Sequence, residues 1–329
     1  MGVRHGKKPK TVEPGPARPD GPLPSRLMME KTMRDIHKLL EERKFQNVEE
    51  ANAFLATLTG PGLEQALHHT APPSPQEEAQ ELAWNAMEAA TARQARKLAK
   101  QALAKDPDCV DAWMALTQTD ARTVEEAIAG MQKAVAAGER SLGAAFFAEN
   151  KGAFWGLLET RPYMRARYEL ADLLLEIDRP DEAITHFEAL LELNPNDNQG
   201  VRYVLLACYL AEENLEGARR LLRDYDDDGD IVFAWGRVLE SFLSDELGKA
   251  AKALKQARRQ NRFVELYLTG ELLPPKDVPE SYSLGSKEEA IYCITTLADT
   301  LAGHPPALLW LWSELGFIPP QGEIQEKLF

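Results

Sequence analysis

The residues best suited to chemistry gather between 159 and 203. Arg161, Arg165, Tyr168 and Asp172 follow one another at spacings of four, three and four. On an α-helix that spacing puts all four on one face. Asn198, Arg202 and Tyr203 come next, with Arg202 and Tyr203 placed to reach the same side. Arginine beside tyrosine and asparagine suits a carboxylate, because the guanidinium fork bonds both oxygens while the neutral groups fix orientation. These residues form the expected binding site, for a peptide carboxylate or an acidic side chain. The competing use is internal. Arg161, Arg165 and Arg167 stand near Glu159, Glu169 and Asp172 and could pair with them.

Other constellations carry less. Asp224, Asp226, Asp228 and Gly229 open like a calcium loop, and Ile231 supplies the usual apolar residue. Trp235 stands where the closing bidentate glutamate is required, so an acidic turn capping the next helix is expected instead. His68-His69 has no Cys, Asp or Glu at ligand spacing, and no metal is expected there. His186 lies beside Phe187 in a helix and reads as structural rather than as a base. Lys249, Lys252, Lys255, Arg258, Arg259 and Arg262 read as a solvated helix face. Cys109, Cys208 and Cys293 are scattered and odd in number, which fits buried thiols in a reducing compartment. The sequence has no phosphate-binding glycine loop, G-x-S-x-G, H-E-x-x-H or Cys–His nucleophile arrangement. No catalytic residue and no cofactor is expected.

The elements that hold these residues repeat. The stretch 161–211 reads as helix, short turn, helix, a break at Pro195 and a further helix. Its register is Leu170, Ala171 and Leu174, then Ala183, Phe187 and Leu190, then Pro195. Residues 76–107 copy it with Leu82, Ala83 and Ala86, then Ala95, Ala99 and Ala102, then Pro107. Both Ala95–Pro107 and Ala183–Pro195 are separated by 12 residues. Later copies place Ala218 and Ala250 at 35 and then 32 residues. A degenerate copy runs through Trp113, Leu116, Ala127, Met131 and Ala134. A period near 34 with small residues at fixed helix positions is the tetratricopeptide pattern. Paired helices approach closely only where facing residues are small, and the proline ends the second helix. In such arrays the first helix of each pair lines the concave surface.

The expected fold is therefore all-α: a tetratricopeptide-type right-handed superhelix of antiparallel helix pairs with helical caps at both ends. The array is expected over 76–270, with an insertion at about 137–160 carrying Phe146, Phe147, Phe154 and Trp155. Residues 27–75 read as a helical segment and linker, with Asn47 capping a short helix. Residues 271–329 read as a C-terminal cap, in which Ser286 and Glu289 form a capping box. Residues 1–26 hold six Pro and six Lys/Arg against two acids, the composition of a disordered basic tail.

Net charge is −14, which argues against general nucleic-acid or anionic-membrane binding. No apolar run reaches the ~18–20 residues of a membrane span, and no signal peptide is apparent, so a soluble cytoplasmic protein is expected.

The runs FWGLLETRPYMRARYELADLL and DEAITHFEALLELNPNDNQGVRYVLL, within about 140–230, resemble bacterial tetratricopeptide proteins of the suppression-of-tumorigenicity 7 family. That resemblance implies an α-superhelical interaction protein without a known catalytic reaction. Eukaryotic relatives are membrane-associated, a property that the missing spanning segment does not support here. The expected function is a non-enzymatic scaffold holding a protein or peptide in its concave groove. The alternatives are an enzyme or small-molecule sensor with a pocket under 137–160, lined by Phe154, Trp155, Arg161 and Arg165, and a structural scaffold that oligomerises through its end helices. The pattern leaves the partner and the oligomeric state open.

Overall fold

A computed structural model describes residues 26–43, 45–58, 72–275, 279 and 281–318. The basic tail, Gly60-Pro61-Gly62 and His68-His69 lie outside them. The chain divides into two compact units, 1–72 and 73–329.

In the first unit, α1 spans Arg26–Arg43 and α2 spans Val48–Thr57. Asn47 caps α2 by accepting the Glu50 N–H at 2.8 Å, and Glu50 returns a bond to the Gln46 N–H. One orphan donor of the first turn is thereby satisfied, and the residue before the cap is tied to the helix. Phe45 and Phe54 meet at 5.3 Å beside that turn.

The second unit opens with five antiparallel pairs. They are α3 (Pro75–Met87) with α4 (Ala92–Lys105), α5 (Val110–Asp120) with α6 (Val124–Asn150), α7 (Arg161–Glu176) with α8 (Pro180–Leu193), α9 (Val201–Ala211) with α10 (Leu215–Asp224), and α11 (Ile231–Leu243) with α12 (Leu247–Gln260). Described residues contain no strand. The small residues that set the register lie inside: Ala95, Ala183, Ala218 and Ala250 are all buried. Phe187, fully buried, fills the space beside Ala183.

Three turns repeat in detail. Asp178, Glu213 and Asp245 each take positive φ, 58°, 53° and 58°, and each stands five residues before the register alanine. The next N–H in each turn bonds a carbonyl five residues back: Arg179 to Leu174, Asn214 to Tyr209, and Glu246 to Ser241. This is the Schellman closure of a first helix, made three times with an acidic residue where glycine is usual.

The degenerate copy has a physical reason. Its closest helix approach is at Gly130, where any Cβ would strike the Thr117 side chain. The small residue is present but displaced from the alanine register. The expected insertion differs too. Helix α6 continues through it to Asn150, broken only at Gly143 (φ 75°, ψ 153°), a conformation suited to glycine. Two 3₁₀ turns then lead into α7.

After α12 come α13 (Phe263–Leu268), α14 (Lys287–Thr296), α15 (Ala298–Gly303) and α16 (Pro305–Leu315). Ser286 caps α14 by accepting from the Glu289 N–H, as expected of it. Glu289 turns its carboxylate to the Gly285 N–H and to Asn261 rather than to Ser286.

Candidate binding groove

The stripe of α9 that should face the groove carries Tyr203 and Ala207, four apart on one face. Tyr203 meets the Tyr292 ring of α14 edge-on at 6.4 Å. The Ala207 carbonyl accepts the Thr300 hydroxyl of α15 at 3.1 Å. On α11, the Ile231 carbonyl faces the Cys293 thiol, and Phe242 packs on Trp310 at 5.1 Å. The chain's own C-terminal helices thus cover these two first helices, besides following the last pair. The composition of α11 requires such cover. Phe233, Trp235, Val238 and Leu239 are all buried, and an apolar surface that broad needs more than one packing partner.

The predicted arginines are engaged internally. Arg165 reaches across to α5 and bonds both oxygens of Asp111, at 2.8 and 3.1 Å. Asp111 is fully buried and also accepts from Gln80 of α3 at 2.7 Å. One carboxylate therefore ties three successive first helices together. Its partner is not among the local acids Glu159, Glu169 and Asp172 that proximity suggested.

Arg202 is held in the same manner at the entry to α9. It bonds Asp228 at 2.5 Å and Asp197 at 3.1 Å, and donates to the Tyr203 hydroxyl at 2.7 Å. Its guanidinium stacks 4.5 Å from the Tyr203 ring and 5.3 Å from that of Tyr225. Burial opposes its charge, yet the Asp228 bond and the surrounding groups hold its pKa above the ordinary value. Within the calcium-like run Asp228 grips Arg202, and the next acid, Asp230, caps α11 through the Val232 N–H. These two carboxylates serve an internal cation and a helix end.

Arg161 donates from Nε to the Trp155 carbonyl at 3.1 Å and lies over that indole. Phe154 is fully buried, with its ring 5.0 to 6.4 Å from those of Phe146, Phe147 and Tyr163. Of the side chains expected to line a pocket under 137–160, Phe154 is packed as core, while Trp155, Arg161 and Arg165 are half-buried.

What α7 leaves at the surface is Asp172, exposed, and Tyr168, half-buried with its edge on Phe187. Glu169 is half-buried and Glu176 exposed beside them. Burial raises the Glu169 carboxyl, and Asp172 and Glu176 add repulsion. Asp172, exposed as a residue but with its carboxyl close against the protein surface, is raised by partial loss of solvent and then by Glu176. Burial also raises the Tyr168 phenol, followed by Asp172 and Tyr292. Asn198 is exposed in the turn before α9. The predicted residues are thus divided. Arg165 and Arg202 sit in buried ion pairs; Tyr168, Asp172 and Asn198 line the surface; Tyr203 joins the two.

Sequence reasoning missed Asp111 and Tyr292. The signal for Asp111 is an acid inside the apolar run VDAWMAL, since a buried charge demands a partner. Tyr292 carries no such signal, because only the folding back of α14 brings it to α9.

Residues 174–230 match the tetratricopeptide repeat family model. The match falls within an array that is, among the described residues, all-α and built of successive helix pairs. No curated protein matches the chain. A solved structure described as the functional characterization of Pseudomonas aeruginosa pilF is 16% identical, covering 70% of this chain and 92% of that one at a TM-score of 0.39. A likeness at that score carries no functional inference. Tetratricopeptide repeats generally mediate protein–protein interaction. Among the described residues no helix is long and apolar enough to cross a membrane.

Proposed function

We propose that the protein is a non-enzymatic interaction scaffold that binds a segment of another protein on the inner face of α7. The resemblance of about 140–230 to the suppression-of-tumorigenicity 7 family points the same way. The observation that carries this reading is the contrast between neighbouring first helices. The inner stripes of α9 and α11 are covered by α14 to α16, whereas α7 keeps Tyr168 and Asp172 at the surface. Tyrosine supplies contact area at low conformational cost, and a carboxylate selects among partners. With Arg165 and Arg202 already bonded to aspartates, the favoured segment is cationic rather than acidic.

The test is a selection of short peptides from a displayed library on the whole protein, followed by binding to Tyr168→Ala and Asp172→Lys variants. Selected peptides should be enriched in Lys and Arg and lose at least tenfold in affinity on both variants. Peptides that bind the variants as well as the wild type sink the groove reading.

A further inference from the structure

The second helices carry charge in a pattern that the groove does not use. Helix α8 holds Asp181, Glu182, Glu188 and Glu192 and no Lys or Arg. Helix α12 holds Lys249, Lys252, Lys255, Arg258 and Arg259 and no acid. Helix α10, between them in the array, is mixed, with Arg219, Arg220 and Arg223 against Glu216 and Asp224. A solvated-face reading explains why such residues are outside. It does not explain why α8 is wholly acidic while α12, like α4 at the start of the array, is wholly basic in a chain of net charge −14.

The charges are also aligned. Asp181, Glu188 and Glu192 follow at seven and four, so they form one stripe opposite the buried Ala183, Phe187 and Leu190. Lys252, Lys255 and Arg259 follow at three and four, opposite the buried Ala250, Leu254 and Ala257. All six charged residues are exposed. Among the described residues, Lys252, Lys255 and Arg259 make no ion pair, whereas Lys249 and Arg258 bond Glu246 and Glu265. Shape accompanies charge. Between α8 and α10 lies a cleft of about 740 Å³, floored by Leu205, Tyr209 and Leu221. It is bridged by the Tyr225 hydroxyl on the Pro195 carbonyl and by Arg220 on Glu188. Asp224 and Glu192 stand among its lining residues.

We infer that this outer face binds a second copy of the chain as a two-fold dimer. A row ordered acidic, mixed, basic is complementary to itself when reversed. Under a two-fold axis near α10, α8 of each protomer meets α12 of its partner, and the same patch serves both sides. The basic stripe then lies along the acidic cleft twice per dimer. The contact is electrostatic and screened by salt. The inner face of α7 takes no part in it.

Sedimentation velocity on the full chain tests this. At low ionic strength the wild type should run at twice the 36.7 kDa chain mass, and in ~1 M salt, where the screening length is about 3 Å, at the chain mass. Reversing the acidic stripe (Glu188→Lys, Glu192→Lys) or the basic one (Lys252→Glu, Lys255→Glu, Arg259→Glu) should give monomers. Mixing the two variants should restore a dimer with one copy of each, because every contact in that pair joins opposite charges. Circular dichroism checks that each variant is folded. Glu188 bonds Tyr209 and Arg220 and Glu192 pairs with Lys151, so Asp181→Lys alone, which breaks no ion pair among the described residues, is the control and should weaken the dimer. A wild type that stays monomeric at low salt overturns the inference, as does a dimer that survives reversal of α12, or a mixture of folded variants that fails to associate.

Discussion

Arg165 and Asp111 are 54 residues apart in sequence and 2.8 Å apart in the fold, joining the first helices of consecutive pairs. Asp111 is fully buried and the Arg165 side chain 13% exposed. Taking both charges out of water is expensive, and each is tolerable only because the other is present. Arg165→Ala or Asp111→Ala should therefore cost about 3–5 kcal/mol, since each strands a buried charge. The joint replacement Arg165→Met, Asp111→Leu should cost much less than the sum. Urea unfolding of the two single variants and the double variant measures the difference. Equal losses in all three would mean that packing, not charge, governs the site.

Most of the architecture was legible because it rests on a local rule. Ala95, Ala183, Ala218 and Ala250 recur where two helices must touch, and each is buried as that rule demands. Asn47 and Ser286 announced helix starts by the same kind of short-range logic. The site was only half legible, for an equally physical reason. Helical spacing located Arg165 and Arg202 on a face, but not the partner across it. Asp111 belongs to the preceding pair and Asp228 to the turn before the following one. The cover over α9 could not be read from α9 itself. Thr300 lies 93 residues beyond the Ala207 carbonyl it bonds, and no periodicity reports such a contact. Because of these pairings, glutamate at position 165 or 202 would face a carboxylate and damage the fold.

The cover by α14 to α16 predicts the result of removing it. A chain ending at residue 280 would leave the apolar stripes of α9 and α11, including Trp235 and Leu239, facing water. Exposed contiguous apolar surface of this kind drives association. The truncated protein should bind a hydrophobic dye strongly and aggregate, while Thr300→Val, which removes one hydroxyl bond, should cost only about 1 kcal/mol. A truncated chain that stays monodisperse and dye-negative would show that α9 and α11 do not depend on this cover.

At Gly130 the prediction concerns space. A Cβ there meets the Thr117 side chain well inside contact distance, and the Thr117 hydroxyl is already bonded to the Trp113 carbonyl at 2.8 Å. Gly130→Ala should destabilise by about 1–3 kcal/mol, the usual range for overpacking. Adding Thr117→Ala should recover a large part of that loss by vacating the volume. If Gly130→Ala instead stabilises the helix, as its propensity alone would favour, α5 and α6 do not cross as closely as the fold implies.

The carboxylates Glu169, Asp172 and Glu176 repeat at three and four along α7, where like charges destabilise a helix by ~0.2–0.5 kcal/mol per pair. Folding raises the carboxyl pKa of both Glu169 and Asp172, burial first and neighbouring charge second. A raised carboxyl pKa means that the folded state binds protons more tightly than the unfolded one. Its contribution is then most favourable below the unfolded pKa and is lost as pH rises through the folded value. At neutral pH, therefore, Glu169→Gln with Asp172→Asn should stabilise the chain, by roughly 0.5 kcal/mol for the relieved pairs. That gain should shrink as the pH falls through the carboxylate range, because protonation neutralises the wild-type groups as well. Other acids titrate over the same range, so the quantity to follow is the difference between variant and wild-type urea midpoints, from neutral pH down to about pH 4. A difference that stays constant with pH would show that the gain comes from helix propensity or packing. On the proposed function, a bound cationic peptide would supply the missing counter-charge. The same double variant should therefore be more stable alone and bind such a peptide less tightly.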